Sequence, residues 1–409
     1  MKKFFIGLSL LLLVLVLIIA GFAMYIQFTG IPKYPVEKID LKVQSTAQRV
    51  ARGRKLVNML CADCHYDQQT HSLTGKRMLD LPHSFGTAYS ANITQHPVKG
   101  IGNWTDGQIA WFLRTGIKPT GEYVPPYMVK LNDLSDEDMA SMIAFLRSND
   151  ALVAAKDVDS VPCRPSFLVK FLSHVAFLPL PYPKAPIAHP DLKDEVKYGK
   201  YTALSVAKCY ECHSADFKTN VALFPERSKG FMGGGNAMND ANGNTVYSAN
   251  ITPDTETGIG RWTEAQFARA LRQGFRPDNT VIRYPMVLYP DLSNQEIHDL
   301  YSYFKTVPVI HHQVPPSTGV VMSDANASIG KKLYYNYSCD TCHGTTGNGS
   351  CDLTGSNKDY PDDKQLKGYI QNASNYFPDS KMPTWEGVIK EEEYGPLISY
   401  VRSLSAGKK

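Results

Sequence analysis

The sequence lacks a strong charge of either sign and has no motif that would hold a nucleotide. Its 43 Lys and Arg residues nearly balance 39 Asp and Glu residues, so the formal net charge is only +4. That is too small for the basic field that nucleic-acid binding requires. The run Gly233-Gly234-Gly235 follows no predicted strand, and we interpret it as a flexible loop and not a dinucleotide-binding turn.

Two further absences concern secondary structure and catalysis. No segment alternates apolar and polar residues over a useful length, so the sequence predicts helices joined by long loops. No paired carboxylates or nucleophile turn stand out, and this excludes an obvious hydrolytic site. We therefore expect an all-α fold without a catalytic constellation of its own.

Charged residues are also absent from the segment 4–26, which is long enough as a helix to cross a hydrocarbon layer of ~30 Å. Lys2 and Lys3 precede it, so residues after it are expected on the far side of the membrane. Gly21-Phe22-Ala23 would also suit cleavage of a signal peptide. Because the apolar run exceeds the ~7–15 residues usual for a signal peptide, we favour an uncleaved anchor within residues 1–30.

The remainder contains one short motif three times: CADCH at 61–65, CYECH at 209–213 and CDTCH at 339–343. Each copy opens a similar block, and the blocks are expected to be domains at 46–150, 191–310 and 324–406. A glycine lies in the helix before each motif and an aromatic residue in the last helix of each block. We expect each glycine to allow a close helix crossing under the ring. The pairs are Gly53 with Phe145, Gly199 with Tyr303, and Gly330 with Tyr400.

Blocks one and two are the closer relatives. SANIT at 90–94 recurs at 248–252, and GIGNWT at 100–105 recurs as GIGRWT at 258–263. Their last helices begin with Ser135 and Ser293, of which the second, with Glu296, better fits a capping box. The proline-rich linker at 151–190 contains an apolar stretch expected to pack on the domain surface, and that at 307–323 is expected to be a stiff spacer.

CxxCH is the attachment motif of c-type haem. Two cysteines three apart can form thioether bonds to the porphyrin vinyl groups, and the adjacent histidine can bind the iron. A zinc site would need two further soft ligands near each motif, and blocks one and two offer no further cysteine. A disulfide within each motif is the weaker alternative. The motifs predict three covalently bound haem c groups, held by Cys61, Cys64, His65, Cys209, Cys212, His213, Cys339, Cys342 and His343.

An iron that only carries electrons needs a sixth ligand, and a methionine sulfur in that place raises its reduction potential. Met382, in KMPTW, is the only methionine after His343. Met128 and Met286 lie five residues before Asp133 and Asp291, at matching places in blocks one and two. A single methionine can equally be core filler, and Met78, Met139, Met232 and Met238 are other candidates. We predict Met128, Met286 and Met382 as axial ligands.

Other side chains are candidates for supporting roles. Trp104 and Trp262 could pack on the porphyrin or donate to a propionate, or be ordinary packing residues. Arg114 and Arg272 could pair with a propionate, or lie on a solvated helix face. Asn92 and Asn250 are expected to hold loop backbone. The two cysteines outside the motifs, Cys163 and Cys351, could form a disulfide. The remaining expected surface residues are His83, His96, His311 and His312.

The segment SANITPDTETGIGRWTEAQFARALRQG, its counterpart in block one and the upstream CxxCH motifs resemble a known family over about residues 46–310. It is the tri-haem cytochrome c subunit of membrane-bound bacterial alcohol, aldehyde and gluconate dehydrogenases. Members often show Met-Pro in the first two ligand loops, whereas Val129 and Val287 follow the methionine here. Block three is more similar to small class I cytochromes fused to oxidases.

The resemblance implies three tandem class I cytochrome c domains after an N-terminal transmembrane helix, on the periplasmic side of the inner membrane. It implies a large dehydrogenase subunit that holds pyrroloquinoline quinone, flavin or molybdenum cofactor as electron donor, and ubiquinone or an oxidase as acceptor. The chain would then transfer electrons without being catalytic alone. Two alternatives stay open: an electron-donating subunit of a terminal oxidase, and a multihaem peroxidase or reductase with one open iron.

Overall fold

The computed structural model describes residues 2–316, 328–377 and 380–406. Helices dominate, as predicted, and β-structure is confined to two short antiparallel pairs, β1 with β2 and β3 with β4. The strands are β1 Gly86–Thr87, β2 Arg164–Pro165, β3 Ala237–Asn239 and β4 Thr245–Tyr247. The helices are α1 Lys2–Thr29, α2 Ala47–Leu60, α3 Ala62–His65, α4 Asp106–Thr115, α5 Asp136–Leu146, α6 Phe167–Val175, α7 Glu195–Tyr201, α8 Cys209–His213, α9 Glu264–Gln273, α10 Asn294–Thr306, α11 Ile329–Asn336, α12 Asp340–His343, α13 Ser356–Asp359, α14 Asp363–Gln371 and α15 Glu391–Ala406.

Helix α1 stands apart from the globular part of the chain. Its segment Lys3–Thr29 is long and apolar enough to cross a membrane, by length and composition. Most of its large apolar side chains are exposed, and Ile26 near its end is buried. A helix whose apolar side chains are exposed along most of its length does not serve as a core helix of a soluble domain.

Three helix pairs carry the expected crossings between glycine and aromatic residues. Helix α2 packs on α5, α7 on α10, and α11 on α15. A Cβ on Gly53 would lie 1.8 Å from the Ser141 carbonyl oxygen, and one on Gly199 would lie 1.9 Å from that of Asp299. In each pair, the Cβ atom of the aromatic residue lies within 2.9 Å of the position that a Cβ on the glycine would take. The predicted crossings are confirmed, because only glycine lets these backbones approach so closely.

Side chains fix where the helices begin. Ser293 and Glu296 form the reciprocal capping box at α10, whereas at α5 Ser135 accepts from the Asp138 backbone N–H without the reciprocal bond. Thr105 with Gln108 forms a further capping box at α4, and Thr263 with Gln266 repeats it at α9. The duplicated sequence therefore starts equivalent helices at equivalent places.

The core is shared between blocks. One apolar cluster runs through blocks one and two, and a second fills block three. Phe275 of block two, which is 1% exposed, belongs to the second cluster. Its ring meets Trp385 edge-on with ring centroids 5.4 Å apart. The blocks are thus joined by buried side chains as well as by the chain itself.

Both linkers make contacts beyond those expected from the sequence. The apolar stretch of the first linker forms α6, which packs on the end of α1 and not only on the block surface: the Lys170 ammonium reaches the Gln27 side chain at 3.2 Å. The described part of the second linker is held against block two, since the Ile310 carbonyl accepts from Asn250 at 2.7 Å. The remainder of that linker, 317–323, lies outside the described residues.

Two glycines of block three test the helix crossing. In Gly330→Ala the new Cβ would lie 2.0 Å from the Pro396 carbonyl oxygen, whereas Gly395, inside α15, has no atom within 4 Å. We expect Gly330→Ala to lower the free energy of unfolding by about 1–3 kcal/mol through overpacking. Gly395→Ala should raise it by about 0.5–1 kcal/mol through helix propensity. Thermal unfolding followed by circular dichroism measures both, and equal midpoints for the two variants would contradict the crossing.

Candidate haem-binding sites

Each CxxCH motif forms one helical turn at the end of a longer helical segment. In block one, α2 ends at Leu60, Cys61 caps it, and α3 carries the motif to His65. In block two a π-helical turn at Thr202–Val206 precedes α8, and in block three Cys339 caps α12. A turn of helix brings the two cysteines of a motif to neighbouring positions, with the histidine beside them.

Each of the three motif histidines makes the same kind of hydrogen bond to a backbone carbonyl. His65 Nδ1 lies 2.7 Å from the Ala91 carbonyl oxygen. His213 Nδ1 lies 2.8 Å from the Ala249 carbonyl oxygen, and His343 Nδ1 lies 2.7 Å from that of Cys351. A carbonyl oxygen only accepts, so Nδ1 carries the proton and donates it. The Nε2 atom is therefore the one with a free lone pair, as an iron ligand requires.

Burial supports the same protonation state. Loss of solvent lowers the pKa of His65, His213 and His343, although the hydrogen bond to the carbonyl opposes it. A neutral imidazole with a fixed tautomer is the form that binds a metal ion. Three independent positions in the fold thus present the same ligand.

The backbone carbonyl of each motif histidine is bound by the backbone N–H of a glycine. The histidine carbonyl accepts a hydrogen bond of 2.8 Å from the backbone N–H of Gly75 in block one, Gly234 in block two and Gly349 in block three. Gly234 has φ +70, and a Cβ there would lie 2.4 Å from the Ala249 carbonyl carbon. The interpretation of the Gly233–Gly235 run as a flexible loop is therefore wrong, because close backbone approach fixes it.

In block one, three of the four predicted haem-binding side chains line one apolar cavity. Cys61, His65 and Met128 reach it from three separate segments, and Trp104 and Phe112 supply apolar walls. The Trp104 and Phe112 rings meet edge-on with centroids 5.4 Å apart. A thiol, an imidazole nitrogen and a thioether that meet between apolar walls are the kinds of donor that bind haem c.

The corresponding residues of the other blocks share apolar clusters. Cys209, Met286 and Trp262 pack on the core of blocks one and two, and Cys339 and Met382 pack on the core of block three. The structure thus places each predicted methionine in the cluster that includes the first cysteine of its own block. The axial role of the three methionines remains a prediction.

The cysteines of the motifs are half-buried thiols. Burial raises the pKa of Cys61, Cys64, Cys209, Cys212 and Cys339 to about 12. Within residues 2–316, 328–377 and 380–406, no group of three or more His, Cys, Asp or Glu side chains is arranged to hold a metal ion. The zinc interpretation, which needs four such ligands around one point, has no support in the geometry.

The polar residues of the repeat position the loops. The Asn92 side-chain amide donates to the Lys156 and Val158 carbonyl oxygens, and its oxygen accepts from Thr94. Asn250 repeats this arrangement with Thr252. These asparagines directly follow Ala91 and Ala249, so the expectation that they hold loop backbone is confirmed.

The two arginines hold protein groups in the loop after each methionine. Arg114, 1% exposed, donates to the Asn132 carbonyl oxygen at 3.1 Å and pairs with Asp136 at 2.6 Å. Arg272 donates to the Leu292 carbonyl oxygen at 2.7 Å. Their guanidinium groups therefore tie α4 and α9 to these loops, and the solvated-face interpretation is wrong for the buried Arg114.

The two cysteines outside the motifs are free thiols in the structure. The Cys163 sulfur is 3.3 Å from both the N–H and the carbonyl oxygen of Tyr89. Cys351 lies beside site three, where its carbonyl oxygen accepts from His343. The suggested disulfide between Cys163 and Cys351 is not formed.

Sequence reasoning missed the carbonyl acceptors and one buried cation. The Lys130 ammonium, in the Met128 loop, donates to the carbonyl oxygens of Val124, Pro125 and Met128 at 2.7–3.0 Å. Burial lowers the pKa of Lys130 to about 7. The repeated SANIT segment could have pointed to the carbonyl acceptors Ala91 and Ala249. No sequence pattern could have pointed to a single buried lysine.

Sequence comparison agrees with this geometry. The family described as "Cytochrome c" matches residues 50–150, and that described as "Cytochrome C oxidase, cbb3-type, subunit III" matches residues 325–401. The chain contains cytochrome c domains. The second match agrees with the resemblance of block three to oxidase-linked cytochromes, and these domains imply covalently bound haem c.

Three relatives that each cover 71–86% of the chain are cytochrome c subunits of dehydrogenases. The alcohol dehydrogenase (quinone) cytochrome c subunit of Gluconacetobacter polyoxogenes is 26% identical over 71% of this chain. The fructose dehydrogenase cytochrome subunit of Gluconobacter japonicus is 25% identical over 86% of this chain and 73% of its own length. The gluconate 2-dehydrogenase cytochrome c subunit of Pantoea cypripedii is 26% identical over 74% of this chain and 71% of its own length. The chain spans 63% of the length of the first of these relatives.

The loop that positions His65 can be tested through Asn92. Asn92→Ala removes the hydrogen bonds to Lys156, Val158 and Thr94 from a residue that is 2% exposed. We expect the free energy of unfolding to fall by about 1–3 kcal/mol, because buried groups lose their partners. Asn103→Ala, in the same region but exposed, is the control. Thermal melts measure both, and an unchanged midpoint in Asn92→Ala would contradict the role given to Asn92.

Proposed function

We propose that the chain binds three haem c groups and carries electrons between a dehydrogenase subunit and the respiratory chain. The observation that carries this proposal is the histidine tautomer, fixed in the same way at His65, His213 and His343. Each would bind iron through Nε2, with thioether bonds from the two cysteines of its motif. Three tandem domains, each closed by one glycine crossing, account for the repeated blocks.

Met128, Met286 and Met382 complete the sites as axial ligands in this proposal. The matching positions of Met128 and Met286 in the repeat and the convergence of Met128 with Cys61 and His65 on one cavity support it. A haem held by histidine and methionine supplies one-electron transfer at a raised potential. The chain's own residues bind it, orient it and exclude water. Trp385 and Phe275 are buried in the apolar cluster on which Met382 packs, and they would help to exclude water from site three.

Haem content and axial ligation are tested together. We expect three haems per chain in a pyridine haemochrome assay, and a low-spin spectrum in the isolated protein. Each of Met128→His, Met286→His and Met382→His should lower the midpoint potential of one third of the haem by on the order of 0.1 V, because axial identity sets potentials over ~0.8 V.

Met139→Leu is the matched control, since Met139 is a buried core residue of α5 that is 2% exposed. It should leave all midpoints in place in a potentiometric titration. A histidine variant that moves no wave would remove that methionine from the ligand set. Fewer than three haems per chain would overturn the proposal for at least one block.

The donor we propose is a large dehydrogenase subunit of quinoprotein, flavoprotein or molybdenum type. The support is that relatives along most of the chain are cytochrome subunits of alcohol, fructose and gluconate dehydrogenases. Ubiquinone or a terminal oxidase would be the acceptor. The chain would not be catalytic alone, because its sites transfer electrons and hold no substrate.

We also propose that α1 anchors the chain in the inner membrane, with the haem blocks on the periplasmic side. The length and apolar character of α1 support the anchor, and Lys2 and Lys3 support the orientation. Phe167 and Leu168 of α6, which packs on the end of α1, are 45% and 40% exposed. That placement would bring them close to the lipid surface.

Removal of the anchor tests the location. A variant in which residues 1–29 are replaced by a cleavable signal peptide should retain three haems and move from the membrane to the soluble periplasmic fraction. Fractionation followed by haem staining measures this. The intact chain is the control, and a variant that stays in the membrane at high salt would contradict anchoring by α1 alone.

A second candidate function follows from block three. Its match to the cbb3-type oxidase subunit III family favours an electron-donating subunit of a terminal oxidase. Co-purification with a copper–haem oxidase and not with a dehydrogenase would decide for it. A peroxidase or reductase would instead show a high-spin haem in the isolated protein, because one iron would keep an open position.

A further inference from the structure

The ligand loop of block three touches the haem-attachment turn of block one. Lys381 immediately precedes Met382, and its ammonium lies 2.7 Å from the Asp63 carboxylate. It also donates to the Asn58 carbonyl oxygen at 2.7 Å. Asp63 lies between Cys61 and Cys64. Two blocks at opposite ends of the chain are therefore in direct ionic contact at their sites.

The ligand loop of block one meets the attachment turn of block two in a related way. Lys208, which immediately precedes Cys209, forms a buried ion pair with Asp133 of the Met128 loop. Glu211 lies between Cys209 and Cys212 in that turn. The second contact thus also joins a ligand loop to an acidic CxxCH turn.

The third contact joins block two to the attachment turn of block three. Asp340, between Cys339 and Cys342, accepts from the Asn242 side chain at 3.1 Å. The Ala241 N–H donates to the Thr341 carbonyl oxygen at 3.2 Å. All three CxxCH turns carry an acid, and each attachment region contacts another block.

We propose that the three haem sites form a closed ring and not a linear chain, in which Lys381 of block three and Asp63 of block one couple site three to site one. The order of contacts runs from block one to two, from two to three, and from three back to one. This inference rests on the proposed function, because it assigns the pairs to haem sites.

The consequence is electrostatic. Reduction adds one negative charge to a site, so a nearby cation favours it and a nearby anion opposes it. Lys381 is 16% exposed and Asp63 28% exposed, so solvent and salt screen the pair only in part. In a linear order, a charge beside the ligand of site three would act on site three alone. In the ring it also acts on site one.

The experiment is a potentiometric titration of the full holoprotein, with the site-one wave identified as the one that moves in Met128→His. Lys381→Gln should shift the one-electron reduction equilibrium of site one about threefold toward the oxidised form, or about 28 mV downward. Asp63→Asn should shift it upward by a similar factor. The double variant should return close to wild type.

Lys364→Gln is the matched control, because it removes one positive charge from the exposed face of α14 in the same block. It should leave site one unchanged. If Lys381→Gln moves only the Met382 wave, or moves site one no more than Lys364→Gln does, the ring is wrong. Haem stoichiometry is measured on the same samples, so three haems with an unmoved site one would overturn the ring and leave the proposed function intact.

Discussion

The hydrogen bond from histidine Nδ1 to a backbone carbonyl is the constraint on which the three sites depend. It decides which imidazole nitrogen is free, and it fixes the ring relative to the two cysteines. The acceptor must be held as firmly as the histidine. The fold achieves this with a loop that is clamped from both sides: Asn92 ties it to the linker, and the N–H of Gly75 bonds the histidine carbonyl.

Block three reaches the same geometry by a different route. In blocks one and two the acceptor lies 26 and 36 residues after the histidine, in the shared SANIT segment. In block three the acceptor is Cys351, only 8 residues after His343. A short loop with Gly349 replaces a long insertion, and the hydrogen bond is kept. The physical requirement on the imidazole is therefore the same in both kinds of block, although their sequences differ.

The sequence predicted what depends on local pattern. The three CxxCH turns, the apolar N-terminal helix and the glycine crossings at Gly53, Gly199 and Gly330 follow from residue type and spacing. Contacts between distant segments could not be predicted in this way. A single lysine such as Lys130 has no periodic pattern that would predict its burial. Gly234 has the sequence context of a flexible loop, and only the structure shows that the Ala249 backbone packs against it. The burial of Arg114 could not be predicted for the same reason, because its carbonyl partners lie in another segment.

Charged contacts between the blocks make their arrangement specific. Arg52 of block one pairs with Asp138 of the same block at 2.8 Å and with Glu296 of block two at 3.1 Å. The Asp138 carboxylate also accepts a hydrogen bond of 2.7 Å from the Tyr201 hydroxyl of block two. Asp138 is 2% exposed, so separating the blocks would leave it without the Tyr201 hydroxyl, and such a loss is costly for a buried charge. The blocks therefore have little freedom to slide against one another. A carrier whose sites keep fixed neighbours can pass electrons without a change of shape, and the buried ionic contacts provide that rigidity where a flexible linker would not.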